Sequence, residues 1–109
     1  MLLVLHRGDS MEMIKKYSKL MIEEITSADN YINMACKMKS TDEETAENFF
    51  EMAKQELHHK DILDHALKNI IDECEDENKA EAMNVIYDFM KDIIADMEAP
   101  VLAKMKTFN

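Results

Sequence analysis

The chain has 109 residues, is 47% hydrophobic and carries a formal net charge of −10. That is room for a single small domain over residues 1–109 with a genuine core, and one Gly and one Pro leave little turn chemistry for a β protein. The acidic balance argues against nucleic-acid binding, which needs clustered Lys and Arg, and no apolar run approaches the roughly 20 residues that cross a bilayer, so a cytoplasmic chain without a membrane role is expected.

Eleven Met, with abundant Ala, Leu, Glu and Lys, favour helix throughout. After a short leader over residues 1–10, a first helix is expected from Ser10 or Met11 to Lys37. Its stripe is Tyr17, Met21, Glu24, Ala28, Tyr31 and Ala35, spaced alternately by four and three, which is one face of a helix. Lys37 to Thr41 reads as a tight connection. Thr41 with Glu44 forms a capping-box pattern opening a second helix from Asp42 to about Asp72. That helix carries Met52, Glu56, His59, Leu63, Ala66 and Ile70 in the same rhythm. An acidic connection, Asp72 to Asn78, leads to a third helix, with Asn78 and Glu81 as its expected cap. Met83, Ile86, Met90, Ile93 and Met97 form its apolar stripe, expected as core or interface, and Asp88, Asp92 and Asp96 a solvated row beside it. Pro100 should end or kink this helix near Ala99, with Val101, Leu102, Met105 and Phe108 continuing the apolar face. The expected fold is therefore all-α: an antiparallel two-helix hairpin over 11–71 and a third amphipathic helix over 78–108. Cys36 and Cys74 fall at opposite ends of such a hairpin, too far apart for a disulfide, and are expected as free thiols.

Two places in these stripes carry charge where apolar residues belong. Glu24 sits in the first stripe, and Glu56 and His59 sit three apart in the second. A carboxylate on a packing face must be paired, protonated or bound to a metal. With residue 40 as the turn centre, Glu24 lies 16 residues before it and Glu56 16 after it. An antiparallel hairpin therefore brings both to one height and makes Glu24, Glu56 and His59 a candidate metal site. The competing readings are structural: Glu24 paired with a Lys of another helix, Glu56 paired with Lys60 one turn on, His59 a packed or surface histidine. His58, Asp61 and His65 share a second face and read as solvated polar residues.

At these residues the chain resembles the ferritin-like di-iron carboxylate superfamily, particularly its rubrerythrin-type and encapsulated-ferritin-type proteins. The first-helix pattern is a Glu, a small residue and an aromatic seven later, here Glu24, Ala28 and Tyr31; the second is Glu56-Leu57-His58-His59. The likeness covers residues 11–71. It implies Fe as cofactor, two per dimer, with Mn or Zn as alternatives. Glu24 and Glu56 would be bridging or chelating ligands, His59 a terminal ligand, and Tyr31 a hydrogen-bond donor just outside them. A complete site in such bundles takes a Glu from each of two helices and a Glu-x-x-His from each of two others. This chain has one of each, so the resemblance implies a homodimer, or a higher even-numbered oligomer, that completes a four-helix ferritin-like bundle. Fe(II) oxidation by O₂ or peroxide is the implied activity, and a non-catalytic helical binding module is the alternative. The chain ends Lys104-Met105-Lys106-Thr107-Phe108-Asn109 with no Gly/Ser-rich linker, so the likeness does not extend to a tail that docks to an encapsulating shell.

Overall fold

The computed structural model describes residues 7–109, which form three helices and no strand: α1 (Arg7–Met38), α2 (Glu43–Asp72) and α3 (Glu77–Phe108). No helix among the described residues is long and apolar enough to cross a membrane. Of the leader expected over 1–10, residues 1–6 lie outside the described residues and Arg7 opens α1.

α1 and α2 form the expected antiparallel hairpin. The Tyr31 ring stacks on Phe49 with centroids 6.2 Å apart, and Glu24 meets Glu56; both pairs are symmetric about residue 40. The seam is built from small residues, since Ala28, Ala35, Ala46 and Ala53 are fully buried and let the two backbones approach. Ile25, Ile32, Leu57, Leu67 and Ile71 fill the space above and below them. Burying such an aliphatic side chain contributes about 1.5–3 kcal/mol, and these residues hold the hairpin together.

The helix starts differ from those read in the sequence. Asp42, not Thr41, caps α2: its carboxylate accepts from the Thr45 amide at 3.1 Å and from the Thr45 hydroxyl at 2.7 Å. Thr41 is committed to the end of α1, where its amide donates to the Met38 carbonyl at 3.1 Å, so the capping box with Glu44 does not form. Glu43 and Glu44 instead lie in the first turn, where the helix dipole favours negative charge. Likewise Asp76, not Asn78, caps α3, accepting from the Lys79 amide at 3.1 Å.

α3 packs through a buried row that shares Met83 with the stripe read from the sequence and otherwise lies beside it. Met83, Tyr87, Ile94, Val101 and Phe108 are buried, whereas Ile93 and Met97 are exposed. The helix carries two overlapping apolar rows, and the buried one contains Tyr87, whose hydroxyl can be satisfied by donating to Asp64 at 2.7 Å. Val85 and Phe89 extend the exposed row. Asp88, Asp92 and Asp96 face solvent as expected. α3 also continues through Pro100 instead of ending at Ala99. An interior proline costs about 3 kcal/mol, and two features offset it. The Asp96 carbonyl it leaves without an amide donor lies on an exposed stretch where water can bond to it. Beyond the proline, Val101 and Phe108 are buried; Phe108 stacks on Phe50 at 4.7 Å and accepts from the Lys39 ammonium through its carbonyl. Cys36 and Cys74 are both free thiols.

Candidate metal centre

The α2 row containing the candidate ligands is not the most buried face of that helix. Ala46, Phe50, Ala53, Leu57, Leu67 and Ile71 are buried, while Glu56, Leu63, Ala66 and Ile70 are half-buried and Met52 and His59 exposed. On α1 the matching residues Tyr17, Glu24 and Tyr31 are half-buried too. The two rows border one open face of the hairpin. α3 lies against other rows, with Ser18 and Met21 of α1 and Lys60, Asp64 and Leu67 of α2 facing its Tyr87, Met90, Ile94 and Glu98. The candidate site thus sits on the hairpin face away from α3.

Glu24, Glu56 and His59 converge there. Each offers one ligand atom, and these atoms lie within 4.8 Å of one another; no other such group occurs among the described residues. His59 Nδ1 lies 2.9 Å from Glu56 Oε1 and 3.6 Å from Glu24 Oε1. The side chains of Glu24 and Glu56 are 27% and 20% exposed, that of His59 53%, so the carboxylates are held and the imidazole faces outward. The i, i+3 spacing on α2 sets the Glu56–His59 contact, and the matched height across the hairpin brings in Glu24. Two carboxylates share a small volume, and Glu24 responds: burial, followed by the hydrogen bond and charge of Glu56, raises its carboxyl above the ordinary value, with His59 acting in the opposite direction. A divalent cation between these atoms would remove the repulsion that raises it. Two carboxylates and one imidazole are a donor set suited to Fe(II), Mn(II) or Zn(II), so the residues fit the ion that the sequence pattern implied.

Tyr31 lies on the same face as Glu24. Its ring is engaged with Phe49, and among the described residues its hydroxyl makes no hydrogen bond to a ligand. His58, Asp61 and His65 are exposed and do not gather into a second ligand group. His59 is a surface histidine, as one alternative had it, but neither ion-pair alternative for the two carboxylates is realised among the described residues. Lys60 does not pair with Glu56; its ammonium lies 2.6 Å from Asp61 and 2.9 Å from Glu98 of α3, in a side chain only 12% exposed. Burial works against that ammonium, but the two carboxylates more than offset it and hold it above the ordinary lysine range. Glu24 has no Lys partner among the described residues.

Sequence reading missed this second polar cluster between α2 and α3. Besides Lys60–Glu98 it contains Asp64, which accepts from Tyr87, Lys91 at 3.4 Å from Asp64, and Lys68 donating to Asn84 at 3.1 Å. The signal was available: Lys60 and Asp64 interrupt the buried row Ala53, Leu57, Leu67, Ile71, as Glu24 interrupts that of α1. Comparison with protein-family models, curated proteins and solved structures returns no match for this chain.

Proposed function

We propose that this chain is half of a ferritin-like di-iron centre, binding Fe(II), or Mn(II), through Glu24, Glu56 and His59 and completing the site with a second copy. The observation that carries the reading is the convergence of two carboxylates and an imidazole at the middle of a half-buried apolar face that α3 leaves open. Three ligands from one chain leave an ion coordinatively incomplete. A two-fold axis through this face would supply the same three again, and isologous dimers are the commonest closed assembly. Leu63, Ala66, Ile70 and Tyr17 would then form the apolar surround that excludes water from the joined sites.

Within that reading each residue has a task. Glu24 and Glu56 supply the anionic oxygens, and a bound cation would relieve the crowding of negative charge that, after burial, raises the Glu24 carboxyl. His59 supplies the neutral nitrogen donor, and its exposure leaves it free to turn toward the partner. Glu24, Glu56 and His59 of the two copies would hold a pair of reduced irons, which would supply two electrons to O₂ or peroxide in ferroxidase-type oxidation. The ring of Tyr31, fixed by Phe49, lies two turns from Glu24 along the same face of α1.

Anaerobic Fe(II) titration with metal analysis and sedimentation tests the reading. About one Fe per chain in a dimer, lost in Glu56→Ala, supports it; a stoichiometrically metal-free protein, or a metal-loaded monomer, refutes it. The exposed row Val85, Phe89, Ile93 and Met97 on α3 favours a second reading, a helical module that docks a partner. Under that reading, substitutions along this row abolish function while Glu56→Ala does not.

A further inference from the structure

Lys60 is placed where two carboxylate groups compete for it. On α2 it stands one turn after Glu56, and a helical side chain leans back over the turn that precedes it. The relaxed reach of its ammonium is therefore toward Glu56, the i, i+4 partner that the sequence alone offers. The structure shows the opposite choice. The side chain runs to the other face of the hairpin, where Glu98 of α3 holds the ammonium at 2.9 Å and Asp61 at 2.6 Å. Asp61 alone does not account for this. It is an i+1 neighbour, its side chain is 66% exposed, and such an exposed partner fixes little. Glu98 is 15% exposed and comes from another helix, so it anchors the contact to the tertiary fold.

We infer that Glu98 of α3 is a positioning residue for the metal centre: by capturing Lys60 it keeps a lysine ammonium off Glu56 and leaves the Glu24–Glu56–His59 cluster anionic. This rests on the metal reading above and gives α3 a part in it, although α3 contributes no ligand. With Lys60 withdrawn, the three ligands present two negative charges to a divalent cation. With Lys60 on Glu56, one of those charges is neutralised, and the ion must also displace or tolerate a cation beside it.

The test compares Glu98→Gln, Lys60→Gln and the double variant, with Mn(II) as the probe. Calorimetric titration should show Glu98→Gln weakening Mn(II) binding by roughly three- to tenfold, the range set by an i, i+4 ion pair plus repulsion between neighbouring cations. Lys60→Gln should bind within about twofold of wild type, and the double variant should recover wild-type affinity, because the competitor is gone. A purely structural role for the Lys60–Glu98 pair would instead weaken both single variants alike and leave the double variant weak; that result overturns the inference. A crystal structure of metal-free Glu98→Gln gives a readout that needs no metal. Lys60 Nζ within ion-pair distance of the Glu56 carboxylate supports the inference, and Lys60 remaining turned toward α3 overturns it. Wild type that fails to bind Mn(II) or Fe(II) removes the metal reading itself, whereas wild type and Glu98→Gln binding equally well removes only the role of Glu98.

Discussion

Replacing Glu24 with Gln should stabilise the metal-free protein at neutral pH. The ligand atoms of Glu24 and Glu56 lie within 4.8 Å of each other. Two ionised carboxylates at that separation repel by about 1 kcal/mol at the dielectric of water and about 3.5 kcal/mol at an effective dielectric of 20. Both groups keep partial access to solvent, which places the relief near the lower figure, about 1 kcal/mol. Burial and then Glu56 raise the Glu24 carboxyl above the ordinary 4.5. The unfolded chain releases the Glu24 proton at the ordinary value. Between the two values the native state binds more protons than the unfolded state, so this contribution is complete below the ordinary value and is lost as pH rises through the raised one. An amide cannot ionise and escapes that loss, while still offering an acceptor oxygen to His59 Nδ1. At about 2.1 cal/mol/K of unfolding entropy per residue, 1 kcal/mol is about 4–5 °C in Tm for a chain of this size. Circular-dichroism melts in EDTA should therefore show Glu24→Gln about 4 °C above wild type near pH 7, with the two curves converging near pH 4. A variant that melts with or below wild type near pH 7 refutes the claim that the carboxylates are mutually destabilising without metal.

Three further outcomes are expected. Mn(II) at about 100 times its Kd should stabilise the wild type by about 2.7 kcal/mol, roughly 12 °C in Tm, and leave Glu56→Ala unmoved in the same melt. Asp42→Ala should cost about 1 kcal/mol in urea denaturation, whereas Thr41→Ala should cost clearly less, since only the aspartate accepts from the first turn of α2; equal costs would return the cap to Thr41. Leu63→Lys, on the open face beside the candidate ligands, should abolish the proposed dimer in sedimentation velocity while helicity by circular dichroism is retained; an unchanged sedimentation coefficient would refute a self-interface on this face.

The helical hairpin and its converging residues were legible because charge in an apolar row is costly wherever it occurs. Glu24 and Glu56 stood out against Met21, Ala28 and Leu63, and their symmetry about residue 40 fixed their common height. Which row of each helix is most buried was not legible. α1 packs on two neighbours, so its apolar sector is wide, and no single helix determines which part of its sector faces which partner. The same ambiguity left open which part of the α3 sector is buried, and Tyr87 lies there because Asp64, 23 residues earlier, accepts its hydroxyl. The caps slipped by one or two residues for a local reason. Thr41, Asp42, Asp76 and Asn78 are all competent caps, and the selection depends on where the preceding helix releases its last amide, a tertiary fact. Pro100 was read by its local cost, and the burial of Val101 and Phe108 beyond it outweighed that cost.

The uneven contact among the helices also sets an order of assembly. α1 and α2 meet across a four-residue connection, so their contacts close small loops, while the contacts of α3 with the first half of the chain, Lys104 to Asp29 and Phe108 to Lys39, span 75 and 69 residues. Loop-closure entropy favours the hairpin first, and native-state hydrogen exchange should find α3 the earlier helix to open. All three candidate ligands belong to the first-formed unit. During synthesis they are brought together before Glu98 is in place, so on the inference drawn above the docking of the last helix is the step that would draw Lys60 away from them.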